Sequence, residues 1–336
     1  AVVRPRFRSE GLKMKFFPVR LIPATTKFDF LRRRIVFFIF SALLVLSSLS
    51  LYAINGLSYG IDFKGGIMIE VRDTRGPADI SKLRNDLGAL GLGEVSLQEF
   101  GEPTDVLIRI QKQEGDETAQ NVAVGLVKST LGEGYEYRRT EFVGPKVSDE
   151  LFWDGLMAIA LALGGILIYI WFRFEWQFGI GAIIALSHDV ISTIGLFALI
   201  QHEFNLATVA AVLTIAGYSI NDTVVVFDRV RENMRKYKTM DFSDLLNLSI
   251  NDTLSRTTLT SFTTLLALVA LYIFGGEIIR DFAFAMIWGI VIGTYSSICV
   301  AVPALLYFNV RRDGFDSNDE PQDDAAIARA NVNKGA

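Results

Sequence analysis

Six stretches of the chain are apolar over enough residues to cross a bilayer: residues 35–54, 152–172, 178–200, 206–227, 257–274 and 282–308. A hydrocarbon core of about 30 Å takes about 20 helical residues, so each stretch predicts a membrane-spanning helix. The first is too long for the apolar part of a cleaved leader and starts after 34 residues, so it is expected to stay in the membrane. Residues 55–150, between the first two runs, follow other periods. IMIEVR (67–72), EVSLQEF (94–100), DVLIRIQ (105–111) and YEYRRTEFV (135–143) alternate as strands, whereas ADISKLRNDLGAL (78–90) and ETAQNVAVGLVKSTL (117–131) have helical spacing. That segment is too long for a structureless loop. Its order of strand, helix, strand, strand, helix, strand predicts an α+β ferredoxin-like (split βαβ) domain. The expected fold class is a polytopic α-helical membrane protein of six transmembrane helices with that domain between helices one and two.

Composition sharpens this reading. With 51% hydrophobic and 21% charged residues and a mean hydropathy of +0.34, the chain is not a disordered one and is too apolar for an ordinary soluble globule. The net charge is −4, but residues 1–34 carry ten Lys or Arg against two acids, and residues 313–336 carry six acids against two bases. Arg32 to Arg34, Arg173, the stretch 229–256 and Arg311 with Arg312 all fall on one side if there are six spans, whereas the connection 201–205 has no Lys or Arg. Basic loops stay in the cytoplasm, so both termini are expected there and the α+β domain in the periplasm. The chain thus divides into a basic cytoplasmic N-terminus (1–34), a first span (35–54), a periplasmic domain (55–150), five further helices (151–310) and an acidic cytoplasmic tail (311–336) whose composition reads as disordered. One cysteine, Cys299, and two histidines leave no basis for a disulfide framework or a metal centre, and no cofactor or nucleic-acid partner is expected.

The candidate chemistry lies in the polar residues within the spans, because an ionisable group there is costly unless it meets a partner or water. Asp222 sits in the fourth span, in AGYSINDTVVVF, and Arg256 begins the fifth, in LSRTTLTSFTTL. Those spans run antiparallel, so the two residues are expected at similar depths and within pairing reach. A neighbouring guanidinium favours the carboxylate and desolvation favours the neutral acid, so moving one against the other switches the acid between releasing and holding a proton. Ser219, Asn221, Thr223, Thr257, Thr258, Thr260, Ser261, Thr263 and Thr264 supply hydroxyl and amide groups along the same seam. The other reading is a static ion pair, with hydroxyls that only help helices pack.

Asp189 is a weaker candidate in the third span, and its neighbour His188 reads as a structural polar contact. Adjacent residues point to different helix faces, so at most one of the two is expected on a pathway. GLSYGIDFKGG (56–66) places Gly60, Asp62, Gly65 and Gly66 directly after the first span, where glycines allow unusual backbone geometry at a tight join. A strand follows it rather than a helix, so it is not a phosphate loop. GIVIG (289–293) is a small-xxx-small packing face. No HExxH, GxSxG or Walker sequence occurs, and neither Asp189 nor Asp222 lies in the YD or GxGD context of an intramembrane aspartyl protease, so an enzyme is not expected.

GIDFKGG (60–66), FVGPKVSDEL (142–151), LSHDV (186–190), LTIAGYSINDTVVVFDRVREN (213–233) and LSRTTLTSFTTL (254–265) followed by FGG (274–276) closely resemble the SecF family of bacterial protein-export membrane proteins. The resemblance runs in order from about residue 30 to residue 308 and leaves both ends outside any family motif. It implies a multi-pass protein of the inner membrane, shaped like half of an RND-superfamily transporter, with SecD as the other half. It also implies association with the SecYEG channel and use of the proton-motive force to draw an unfolded polypeptide across. Asp222 and Arg256 fall on the family positions given to proton coupling. Composition and spacing alone leave open an RND-type exporter of lipids or small molecules, or a scaffold that transports nothing.

Overall fold

The computed structural model describes residues 26–308 and residue 310, apart from 114 and 116. The tail 311–336 and most of the basic N-terminal segment lie outside the described residues. In chain order the elements are α1 (Arg34–Asn55), β1 (Ser58–Tyr59), α2 (Ile61–Lys64), β2 (Gly66–Asp73), α3 (Ile80–Gly88), β3 (Val95–Phe100), β4 (Glu102–Ile110), α4 (Glu117–Leu131), β5 (Tyr135–Val143), α5 (Pro145–Arg173), α6 (Trp176–Ile200), β6 (Glu203–Phe204), α7 (Leu206–Lys236), α8 (Phe242–Phe274) and α9 (Glu277–Ser296). Among the described residues, six helices are long and apolar enough to cross a membrane: α1, α5, α6, α7, α8 and α9, the last continued by a π-helical turn at Ser297–Ala301.

Two of these helices outrun the apolar stretches that announced them. The expected fourth span stopped at 227 and the fifth began at 257, yet α7 continues to Lys236 and α8 starts at Phe242. The extra turns are amphipathic rather than apolar. Val230, Met234, Leu245, Leu246 and Ile250 are buried between them, while Arg229 pairs with Asp252 at 2.8 Å and Asn233 Nδ2 donates to Ser249 Oγ at 2.9 Å. Local side-chain caps set both starts: Asn205 accepts from Thr208 N before α7, and Asp241 from Ser243 N before α8.

The segment before α1 is docked. Asn251 Oδ1 accepts from Phe28 N (2.9 Å) and Thr26 Oγ1 (2.7 Å), Asn247 Oδ1 accepts from Phe30 N (2.9 Å), and Leu31 is buried in the same cluster as Leu245. Thus α8 holds the entry to α1.

The α+β unit is a four-stranded antiparallel sheet in the order β3-β4-β2-β5. Ile67, Ile69, Val71, Val106, Ile108 and Ile110 form one apolar face, closed by Leu83, Leu87, Ala123 and Val127 of α3 and α4. The opposite face carries charge. Arg72 Nε and Nη2 donate to both oxygens of Asp105 (2.6 and 2.8 Å), and Arg138 reaches Asp105 at 3.2 Å. The Arg72 hydrogen bond holds the Asp105 carboxyl below the usual carboxylate range, and Arg75 likewise holds that of Asp73 at about 2. Both values are depressed on folding, so the stability they contribute is present above the unfolded value of about 3.9 and is lost as pH falls through the folded ones. Melting of the sheet, followed by its infrared amide band, should therefore stay constant down to about pH 4 and drop between about pH 4 and 2. Asp105→Asn should flatten part of that fall.

Candidate functional site: a buried polar seam

The helix α9 is packed among α6, α7 and α8, and the polar side chains of all four meet around it. Asp189 of α6, fully buried, is the centre. Ser219 Oγ of α7 and Ser296 Oγ of α9 (2.7 Å) donate to its Oδ2, and His188 Nδ1 lies 2.9 Å from its Oδ1. Farther along, Thr223 Oγ1 and Ser297 Oγ are 2.9 Å apart, and Ser261 Oγ of α8 and Thr294 Oγ1 of α9 are 2.7 Å apart. Asp222 is buried in the middle of α7, and its Oδ2 has no hydrogen-bond partner; Thr257 Oγ1 on α8 is likewise buried and unpartnered.

The expected pairing of Asp222 with Arg256 is not formed. Arg256 is exposed on α8, and no ion pair joins it to Asp222 among the described residues. Helix phase is the reason. The buried stripe of α8 runs through Ile250, Thr253, Thr257 and Ser261, and Arg256 sits one residue off it, on the side of exposed Leu259. The hydroxyl seam differs in the same way. Ser219, Thr223, Thr257 and Ser261 face inward as expected, but Asn221 is exposed, and Thr260, Thr263 and Thr264 donate to carbonyls of their own helix. The place expected for those residues is taken by Thr294 and Ser296 of α9 and by Ser297 of the turn that continues it. Sequence reasoning passed over these three, although TYSS inside an otherwise apolar run was the available signal. The π-helical turn begins at Ser297, an irregularity frequent at functional positions. His188 makes the structural polar contact expected of it: it is buried, and its partner is the neighbouring carboxylate of Asp189, which is buried as well.

The residues after α1 form a second constellation, where the sheet domain meets the bundle. β1 pairs in parallel with β6, which lies between α6 and α7, and Asp62 Oδ2 accepts from Leu206 N (2.9 Å) at the start of α7. Gly65 and Gly66 have φ of +70° and +127°, which only glycine adopts cheaply. Gly60, at an ordinary φ of −71°, is needed for space, since a Cβ there would run into Glu203 Oε1. Glu203 pairs with Arg109 of β4; burial pushes its carboxyl up against the pull of Arg109, and Asp281 and Asp62 push it further. Asp281 in turn holds His202 Nε2 (2.8 Å) and Asn205 Nδ2 (3.0 Å).

The GIVIG face seats α9 on α7. A Cβ at Gly289 would strike the Ile215 side chain, and Gly293 lies against Ser219. Gly289→Val should cost about 1–3 kcal/mol, because β-branched Ile215 has little freedom to yield; a thermal melt in detergent reads it.

Comparison with known proteins agrees with this architecture. Residues 124–311, which hold the seam, match the family model "Protein export membrane protein SecD/SecF, C-terminal", and residues 53–72 match the "SecD/SecF GG Motif". "Protein translocase subunit SecF" of Rickettsia bellii (strain OSU 85-389) is 48% identical over 299 residues, covering 88% of this chain and 98% of its own. The chain belongs to the SecF family. The SecF of Cereibacter sphaeroides is 47% identical over 307 residues, covering 89% of this chain and 94% of its own. The crystal structure of SecDF from Thermus thermophilus, described as a translocon-associated membrane protein, superposes with a TM-score of 0.78 at 35% identity over 88% of this chain. SecDF in a super-membrane-facing form gives 0.64. In both cases the chain spans 40% of the SecDF chain it matches. As a SecF, this is a multi-pass protein of the bacterial inner membrane and a protein translocase subunit. Its GG motif contains Gly60, Asp62, Gly65 and Gly66, so the glycines singled out in the sequence lie at the junction of domain and bundle.

Proposed function

We propose that this SecF is one half of a proton-driven machine that assists late steps of polypeptide translocation through the Sec channel, with SecD as its other half. The observation that carries the reading is Asp222: a carboxyl group enclosed in the middle of a membrane-spanning helix, one oxygen without any hydrogen-bond donor. A structural aspartate in such a place is saturated, as Asp189 is; one left unsaturated responds to a proton. Thr257, also unpartnered, and the hydroxyls of Ser219, Thr223 and Ser297 supply polar groups for water next to it.

Protonation of Asp222 neutralises the only charge that opposes its enclosure, and loss of the proton restores an anion that draws Arg256 inward. Arg256 stands one residue, about 100° of helix azimuth, off the buried stripe, so a turn of α8 together with a swing of its long side chain brings its guanidinium to the seam. Asp189, held by three neighbours, aligns α6, α7 and α9 and is the secondary candidate for carrying the proton. A unit charge crossing about 100 mV releases roughly 2.3 kcal/mol, enough to bias a two-state equilibrium about fifty-fold.

The sheet unit is read as a ferredoxin-like domain in the periplasm, supported by its βαββαβ order and by the arginines Arg32, Arg33, Arg34, Arg173 and Arg229 at the other end of the bundle. Its position between α1 and α5 lets a rearranging bundle move it against an emerging chain. Membrane vesicles made without this chain, then with it restored beside SecD and SecYEG, test the reading. Export of a secreted protein is expected to respond to an imposed proton gradient only in the second. An equal response in both sets of vesicles overturns it.

A further inference from the structure

The two covalent connections between the sheet domain and the bundle enter the sheet side by side. Chain coming from α2 begins β2 at Gly66, and β5 leaves for α5 at Val143, which is the Cα partner of Gly66. Gly65 and Gly66 have positive φ at the first connection, and Gly144 follows Val143 at the second. Two attachment points that close make a hinge line, and a hinge leaves the tilt of the domain undetermined.

A third attachment, made by side chains alone, lies off that line. Arg109 sits on β4, an interior strand, opposite Met68 on one side and Ser96 on the other, and its Nη2 donates to Glu203 Oε2. Both ends of the pair are well founded. Glu203 lies on β6, which pairs with β1. The flanking His202 and Asn205 are held by Asp281 of α9, and Leu206 N by Asp62. The side chains are 14% and 12% exposed, so water screens the pair little. Gly60 leaves the space in which the Glu203 carboxylate lies.

We propose that the Arg109–Glu203 ion pair is a strut that fixes the tilt of the sheet domain on its glycine hinge and carries movement of the α6–α7 end of the bundle into the domain. The inference deepens the reading of a proton-driven bundle and rests on it for the source of movement. Arg109 and Glu203 are positioning residues: they touch no proton path and act through the angle of the domain.

The experiment uses the full chain reconstituted with SecD. The single native cysteine, Cys299, is buried, so spin labels on Asn121→Cys of α4 and Leu199→Cys of α6 report the distance between domain and bundle selectively. Arg109→Glu and Glu203→Arg are each expected to broaden the distance distribution at least twofold and to cut gradient-driven export at least fivefold, with proton uptake by the vesicles retained. The double exchange, Arg109→Glu with Glu203→Arg, is expected to restore both. Single variants as narrow as the parent, or a double exchange as broad as the singles, overturns the strut. Glu203→Gln removes the charge at constant size and serves if the reversals do not fold; an unbroadened distribution in it overturns the strut equally. Absence of proton uptake in the parent protein refutes the proton-driven reading instead, and the distance widths still decide whether the strut exists.

Discussion

Asp222→Asn is expected to abolish the response of export to an imposed proton gradient while the protein still folds and assembles. The carboxylate makes no hydrogen bond through Oδ2, so the amide that replaces it breaks none and has nearly the same volume. What it removes is the ability to gain and lose a proton. Without that, the gradient has no charge to act on, and the roughly fifty-fold bias available per 100 mV is lost. Export from vesicles, measured with and without the gradient, should give a ratio near one for the variant. A ratio equal to that of the parent protein would remove Asp222 from the mechanism. Arg256→Ala should lower the same ratio, and Arg256→Lys should keep part of it, since the proposed role asks for a mobile positive charge more than for guanidinium geometry.

Asp189→Ala should be the most destabilising change in the bundle. The side chain is entirely buried and takes Ser219 and Ser296 on one oxygen and faces His188 with the other; truncation leaves Ser219 Oγ and His188 Nδ1 without that partner, while Ser296 Oγ keeps the Gly293 carbonyl, and it opens a cavity where three helices meet. Each stranded donor costs about 1–3 kcal/mol, which makes a loss of about 3 kcal/mol or more the expected result. Thermal melting in mild detergent, read by loss of the monodisperse peak, measures it. Asp189→Asn keeps an acceptor and separates architecture from proton handling. A variant that melts normally yet loses gradient-driven export would give Asp189 a share of the relay.

Much of this arrangement was legible before any coordinates. Apolar runs of the right length gave the membrane helices, and alternation gave the strands of the sheet, because bilayer thickness and β-pleat set lengths and periods that the residues must obey. What escaped was anything that depends on helix phase between elements far apart in the chain. Asp222 and Arg256 were expected at the same depth, but depth says nothing of azimuth, and Arg256 lies one residue away from the inward stripe. Ser296 and Ser297 were passed over for the opposite reason: TYSS breaks an apolar run, but a serine in a span is ordinary, and the position of α9 among three other helices is what makes these two central. The start of α7 and the end of α8 coincide with the apolar stretches, but the end of α7 and the start of α8 run beyond them, because hydropathy detects lipid, whereas a helix stops where its caps and partners stop. The Arg109–Glu203 contact joins residues 94 apart on two strands of different sheets, a pairing that no local pattern announces.

The docking of residues 26–30 on α8 has a consequence for how the protein is made. Asn247, which receives Phe30 N, is translated 217 residues later, and Asn251, which receives Phe28 N, 223 residues later. The first helix therefore enters the membrane with its leading segment unanchored and waits through most of synthesis for its clasp. Chains arrested before residue 242 display Thr26, Phe28 and Phe30 to the aqueous compartment. A chain stalled there leaves the backbone N–H groups of Phe28 and Phe30 without the asparagine acceptors that a finished molecule provides.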